Sequence, residues 1–161
     1  MKITSKVTSD MKGITHLINR LKRLDEGHVE YGYFETDVHT GSGKSMAELA
    51  GLLNDGYKNT PARPFVDDGI DLNNKWLEVN NTWRNDLLRY LRYGGPIKSF
   101  YSGIGKQGVL SIQTKIDVND YVDNIKWWED LKTAKYGSSQ VLVETNELYQ
   151  GAKFKVIKGG K

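Results

Sequence analysis

The stretch Ala47–Ile70, AELAGLLNDGYKNTPARPFVDDGI, sets the plan of this chain, because it joins a helix to a rigid turn. Its apolar residues and the methionine before it share one helical face: Met46, Leu49, Leu52 and Leu53. Ser45 is placed to cap this helix, and Glu48 three residues later completes a capping box. Asn54–Gly56 ends it. The two prolines of TPARPF then fix a backbone that cannot be regular helix throughout.

On the N-terminal side, the sequence predicts a helix and then a strand. Ser9 or Asp10 can cap a helix that stops at Gly27. Its apolar residues recur every three or four positions: Met11, Ile14, Leu17, Ile18, Leu21 and Leu24. The following HVEYGYFE, residues 28–35, alternates aromatic or β-branched residues with others, which is typical of a strand.

On the C-terminal side, the spacing predicts one long helix over residues 70–95, stopped by Gly94-Gly95-Pro96. A short connector at 97–105 and a further helix over 106–131 follow. A loop at 132–140 precedes a final strand in which Ala152, Phe154 and Val156 alternate with lysines. The fold class expected is α+β, with a small antiparallel sheet packed with several helices including one long helix.

Length and composition favour one domain of 161 residues, with a core at about 9–157 and flexible arms at 1–8 and 158–161. Cysteine is absent, which excludes disulfides and a thiolate metal site. No apolar run is long enough for a membrane helix. The net charge of +3 is too small to indicate nucleic acid by itself, but basic residues outnumber acidic ones at both ends, 1–27 and 150–161. Basic ends are typical of arms that meet phosphates, of arms that meet an acidic partner, or of solvated tails.

The segment HTGSGKS, residues 39–45, raises the question of a phosphate-binding loop. Gly43, Lys44 and Ser45 fit the last places of that motif, but its first glycine is replaced by Val38, where a side chain obstructs the tight turn. The preceding strand is polar, whereas the strand before such a loop is a nearly continuous aliphatic run. The segment is therefore predicted to be a flexible loop before a capped helix, and Lys44 a surface charge.

No other pattern indicates catalysis, a cofactor or a metal. The three histidines are not spaced as a ligand pair, and no nucleophile motif such as Gly-x-Ser-x-Gly is present. Asp67 and Asp68 are predicted to cap the long helix, whose dipole favours negative charge at its start. Trp127 and Trp128 are adjacent, so on a helix only one can face the core. The other is predicted to be exposed or to pack on a partner.

Three segments together resemble tailed-bacteriophage neck and tail-completion (head–tail joining) proteins. The first is Ala47–Ile70 with its PARPF element, followed as in that family by a long helix. The second is WWEDLKTAKYG, Trp127–Gly137, with Trp-x-x-Leu. The third is VLVETNELYQGAKFKV, Val141–Val156, in which Asn146 replaces the usual glycine. Asparagine also tolerates positive φ, so the turn can be kept. The likeness spans about residues 28 to 157.

The resemblance implies a non-enzymatic virion protein without cofactors, at the neck or tail end, assembled in the host cytoplasm. Such proteins form rings around the DNA channel, here expected to be a hexamer. The expected partners are neighbouring connector or adaptor proteins, tail-tube or tail-terminator proteins, and double-stranded DNA held non-specifically; no membrane is involved. The ring or partner interface is assigned to Arg63, Phe65, Trp127 and Trp128. For Arg63 and Phe65 the alternative is that they only pin their loop to the core of this chain. The DNA-facing residues are assigned to Lys153, Lys155 and Lys158.

An alternative from another class is a small basic nucleic-acid-binding module. It would use the N-terminal helix, where Arg20, Lys22 and Arg23 are the best candidates for phosphate contacts. Salt-dependent DNA binding by the isolated monomer would favour this alternative.

Overall fold

The structure is a computed structural model that describes residues 11–118, 120–123, 126–137, 142 and 146–157. The elements in this part of the chain are α1 (Met11–Asp25), β1 (His28–Gly32), α2 (Met46–Asp55), α3 (Phe65–Val79), α4 (Thr82–Tyr93), α5 (Ile97–Val118), α6 (Lys126–Tyr136), α7 (Glu147–Gly151) and β2 (Lys153–Ile157). The expected α+β class, with a small antiparallel sheet and one long helix, is confirmed.

Helix α5 is the scaffold on which the other elements pack, and its small residues allow close approach. Gly69 of α3 lies so close to Ile112 of α5 that a Cβ there would be 2.8 Å from the Ile112 Cα. On another side of α5, Gly105 and Gly108 lie under side chains of the sheet. A Cβ at these two glycines would come within 2.5 Å of the Phe154 and Tyr31 rings, respectively. Both contacts need glycine because no larger side chain leaves this space.

The sheet is an antiparallel pair, β1 with β2, in which Val29 lies opposite Val156 and Tyr31 opposite Phe154. These four side chains are half-buried and point towards α5 or its neighbours, while the residues between them are exposed. The alternation expected for both strands is thereby confirmed, since every second side chain of a strand lies on the same face.

The core lies where α2, α3, α5 and α7 meet. It consists of seven buried apolar residues: Met46, Ala50, Phe65, Ile112, Ile116, Leu148 and Ala152. Phe65 and Ile112 are completely buried. The N-terminal helix α1 contributes no buried residue to it. In the described part of the chain, no helix is both long and apolar enough to cross a membrane.

The prediction of one helix over residues 70–95 is wrong, because Asn80 and Asn81 separate α3 from α4. Asn80 is extended (φ −93°, ψ 122°), and its side-chain oxygen accepts a hydrogen bond from Thr82 N at 2.8 Å. Asparagine side chains compete in this way with helical hydrogen bonds, which favours a break. Helix α3 also begins earlier than predicted, at Phe65.

The longest helix is instead α5, which joins the predicted connector at 97–105 to the next helical segment. The helix predicted over 106–131 is therefore not continuous, because α5 ends at Val118, between the polar residues Asp117 and Asp120, and α6 begins at Lys126. The loop predicted at 132–140 is helical up to Tyr136. The short α7 was not predicted. Before it, Asn146 has φ 63°, so asparagine does take the left-handed conformation expected in place of glycine.

Candidate assembly site

The PARPF element is anchored inside the subunit. Phe65 is completely buried, and its ring meets the edge of Tyr33 with centroids 6.0 Å apart. Arg63 is 5% exposed. Its Nε donates to Val122 O at 3.2 Å, and its backbone N donates to Leu53 O at 3.0 Å. Burial lowers the pKa of Arg63, while the nearby carboxylate of Asp123 raises it.

Of the two interpretations of Arg63 and Phe65, an interface with a neighbour or an anchor on the chain's own core, these positions agree with the anchor. In the folded subunit both side chains are covered by residues of the same chain, so neither offers a surface to a neighbour. The physical reason is that the chain reverses at residues 57–60, where Tyr57 N donates to Thr60 O and Thr60 N donates to Tyr57 O, and this turn returns Arg63 to the end of α2. Arg63 thereby links the end of α2 to the segment after α5.

The residue that caps α3 is Asn54, which the sequence analysis missed. Its Oδ1 accepts hydrogen bonds from Val66 N at 3.0 Å and Asp67 N at 3.4 Å, and its Nδ2 donates to Asp67 Oδ2 at 2.8 Å. Asp67 and Asp68 lie in the first turn, where the helix dipole favours them, but neither is the cap. No local pattern reveals this cap, because Asn54 reaches α3 from the end of α2.

The segment HTGSGKS is a loop held by its own hydrogen bonds. The amides that donate to other atoms of this chain are those of His39, Thr40, Ser42, Gly43 and Lys44. Ser45 Oγ accepts from Glu48 N at 3.1 Å, which confirms the predicted helix cap. The Lys44 ammonium pairs with the Glu48 carboxylate on the surface. Because these amides are engaged within the chain, they are not directed at a phosphate as a phosphate-binding loop requires.

Glu147 ties this loop to α7. Its carboxylate accepts hydrogen bonds from the Thr40 hydroxyl and from Thr40 N, the latter at 3.1 Å. The His39 ring lies 3.8 Å from the same carboxylate. Hydrogen bonds from the Thr40 side chain and backbone hold the pKa of Glu147 below its ordinary value.

The predicted DNA-facing lysines lie on a surface of mixed charge. Lys153 and Lys155 are exposed on the outer face of β2. Lys153 pairs with Asp37 at 2.9 Å, and the Lys155 ammonium lies 3.8 Å from the centroid of the Phe34 ring. Glu30 of β1 lies opposite Lys155 in the sheet. Lys158 lies outside the described residues. The acidic neighbours offset part of the positive charge that DNA contact would use.

Helix α1 carries the largest run of exposed apolar side chains in the described part of the chain. The exposed fractions range from 41% to 62% for Met11, Ile14, Leu17, Ile18 and Leu21, which together are called the α1 stripe below. Soluble monomers rarely leave such contiguous apolar surface uncovered unless it is an interaction site.

The α1 helix is fixed to the body through polar contacts at its C-terminal half. Arg20 Nη1 donates to Leu91 O at 2.6 Å, near the C-terminus of α4, where the helix dipole favours a cation. The Tyr101 hydroxyl of α5 donates to Leu24 O at 2.7 Å and lies 2.9 Å from Gly27 O. These contacts orient the helix while leaving the α1 stripe in solvent.

The remaining predicted interface residues, Trp127 and Trp128, belong to the first turn of α6, and their side chains lie outside the described residues. Among the residues that the structure describes, no group of three or more His, Cys, Asp or Glu side chains could hold a metal ion. Comparison of the chain with protein-family models, with curated proteins and with solved structures found no match.

Proposed function

We propose that this chain is a structural virion protein of the phage neck, a tail-completion or head–tail joining subunit that forms a ring around the DNA channel. The observation that carries the proposal is the α1 stripe, an exposed apolar face on a helix held firmly to the body. Covering a side chain that is already about half buried stabilises a contact by roughly 1 kcal/mol. Covering five such side chains would therefore favour the association of subunits.

The kind of assembly, a phage neck, is proposed because three segments resemble phage neck proteins. These segments are 47–70, 127–137 and 141–156. The burial of Arg63 and Phe65 fits a subunit whose PARPF element is an internal brace. A brace of this kind keeps the subunit rigid, which lowers the entropic cost of forming a ring. The exposed Lys153 and Lys155 would add weak, non-specific contacts with DNA phosphates.

The experiment that tests this function is the solution mass of the purified chain by light scattering, with negative-stain images of the same fractions. Closed rings support the proposal and give their symmetry directly. Monomers that bind DNA with strongly salt-dependent affinity favour the basic nucleic-acid module instead. Against that module stands Arg20, whose guanidinium is engaged with Leu91 O and so is not directed at phosphate.

A further inference from the structure

The longest stretch of the chain without an acidic residue runs from α4 through most of α5. Residues 87–116 contain no Asp or Glu, although the whole chain has 20 acidic residues. The stretch carries five basic residues: Arg89, Arg92, Lys98, Lys106 and Lys115. All of these except Lys115 are exposed. A surface formed by this stretch is therefore positive, whereas the lysines of β2 have acidic neighbours.

Three adjoining clefts connect these cations along the surface. The first lies between α4 and α5, where Arg89 and Ser99 line it. The second follows α5, and its lining includes Ser99, Lys98 and Lys106. The third lies between α5 and β2, where Lys106 and Lys153 line it. Because neighbouring clefts share Ser99 and Lys106, the three form one continuous depression, which is called the α5 groove below.

The side chains of the α5 groove are of the kinds that contact phosphate. Lys98, Ser102 and Lys106 are four residues apart, so they follow one side of α5 over about 12 Å. Lysine, arginine and serine side chains make many of the contacts between proteins and DNA phosphates. Duplex DNA carries one negative charge per about 1.7 Å of its axis, so several phosphates can face a groove of this length.

Two carboxylates make the ends of the α5 groove less positive than its centre. Asp86 lines the first cleft together with Arg89, and Lys153 pairs with Asp37 at 2.9 Å. The central cations are thus Lys98 and Lys106. Of the large apolar side chains that are exposed in the described part of the chain, none lines the α5 groove. A membrane surface, which needs apolar side chains as well as charge, is therefore a poorer fit than DNA.

We propose that the α5 groove binds the phosphate backbone of double-stranded DNA, with Lys98 and Lys106 as its central contacts. This inference rests on the proposed ring function and adds α5 to the surface that faces the DNA channel. Contacts with phosphates carry no sequence information, so the groove binds duplexes of unrelated sequence equally well.

The test is fluorescence anisotropy of the full chain with a short labelled duplex, which can enter a closed ring from its end. Affinity is measured between about 50 and 200 mM salt, a range over which phosphate contacts weaken strongly. Lys98→Gln/Lys106→Gln is expected to make the slope of log affinity against log salt shallower by about 2, one for each lost contact. Both positions are exposed, so circular dichroism is expected to show a folded protein.

The matched control is Lys58→Gln/Lys75→Gln, which removes the same charge at exposed positions outside the α5 groove. It is expected to keep the slope of the unchanged chain. If this control loses as much slope as Lys98→Gln/Lys106→Gln, only net charge matters and the groove is not the contact. Full binding by Lys98→Gln/Lys106→Gln would place the DNA contact elsewhere.

A variant expected to bind more tightly separates the contact from any effect on folding. Asp86→Asn removes the carboxylate beside Arg89 and is expected to strengthen binding several-fold at low salt. Asp71→Asn, at an exposed position of α3 outside the groove, is its control and is expected to bind as the unchanged chain does. Equal effects of the two substitutions would contradict a contact at the groove.

Negative-stain images of the same samples separate this inference from the ring function. Closed rings that do not bind the duplex would overturn the groove contact and leave the ring function standing. Monomers that lose binding through Lys98→Gln/Lys106→Gln would support the groove and count against the ring. Binding of the chain to anionic vesicles or to polyglutamate, without binding to the duplex, would identify a lipid or an acidic protein as the partner and overturn the assignment to DNA.

Discussion

Asn54 shows how one side chain can join two helices and a turn. It is 7% exposed at the end of α2, and its amide bonds both the backbone and a side chain of the first turn of α3. A helix cap stabilises the folded state because the first N–H groups of a helix have no partner within it.

We expect Asn54→Ala to lower the free energy of unfolding by about 1–3 kcal/mol, since it removes the cap and leaves buried donors unsatisfied. Urea denaturation followed by circular dichroism measures the change. The control is Asn74→Ala on the exposed side of α3, which should change stability by less than about 0.5 kcal/mol. Equal effects of the two substitutions would show that Asn54 does not act as the cap.

Glu147 is the residue whose ionisation should report on the loop at 36–45. Its pKa lies below the ordinary value of 4.5, chiefly because the Thr40 hydroxyl and amide donate to the ionised carboxylate. A group with a lowered pKa stabilises the folded state above its ordinary pKa, and that contribution is lost as pH falls through the lowered value. The link between the loop and α7 should therefore weaken only in acid.

We expect the NMR signal of the Thr40 amide to titrate with a midpoint below pH 4.5, and this titration to disappear in Glu147→Gln. The glutamine keeps a hydrogen-bond acceptor but cannot ionise. A midpoint above 4.5, or one that survives the substitution, would mean that another group controls this amide.

At the scale of elements, the close contact between α3 and α5 depends on the absence of a side chain at Gly69. Gly69 has no room for a Cβ, since one would lie 2.8 Å from the Ile112 Cα and 3.0 Å from its N. Backbone atoms cannot move aside as a flexible side chain can, so the helices would have to separate. Overpacking of this kind usually costs about 1–3 kcal/mol.

We expect Gly69→Ala to lower the unfolding free energy by at least about 1 kcal/mol through that overpacking. Gly51→Ala is the matched control, because Gly51 lies in α2 with nothing within 4 Å of a Cβ. It should raise stability by about 0.4–1 kcal/mol, as alanine restricts the unfolded chain and favours helix. A neutral Gly69→Ala would indicate that the two helices can shift apart at little cost.

Features that depend on neighbouring residues were mostly predicted correctly, whereas features that depend on contacts between distant segments were not. Helix α2, strands β1 and β2 and the left-handed Asn146 were predicted because periodicity, capping and turn preference are local properties. The break at Asn80–Asn81 was missed because the apolar spacing continues through it. The cap by Asn54 was missed, and the sequence left open whether Arg63 is buried or lies at an interface, because both depend on contacts between distant segments.

At the scale of the whole molecule, the core and the α1 stripe are separate. The seven core residues come from α2, α3, α5 and α7 and from Ala152, whereas α1 is held by Arg20 and by carbonyls that accept from Tyr90 and Tyr101. The body should consequently be stable without α1, and α1 should matter chiefly for what it contacts outside the subunit.

We expect a chain that begins at Glu26 to fold cooperatively and to be monomeric. The deletion removes none of the core residues, and Tyr101 keeps the carbonyl of Gly27 as an acceptor. Differential scanning calorimetry should show one transition, at a temperature within about 4 °C of the full chain, the shift that roughly 1 kcal/mol produces in a domain of this size. Light scattering should show loss of any assembly that the full chain forms. If the shortened chain fails to fold, α1 is part of the structural core; if it folds and still assembles, the surface that holds the copies together lies elsewhere on the body.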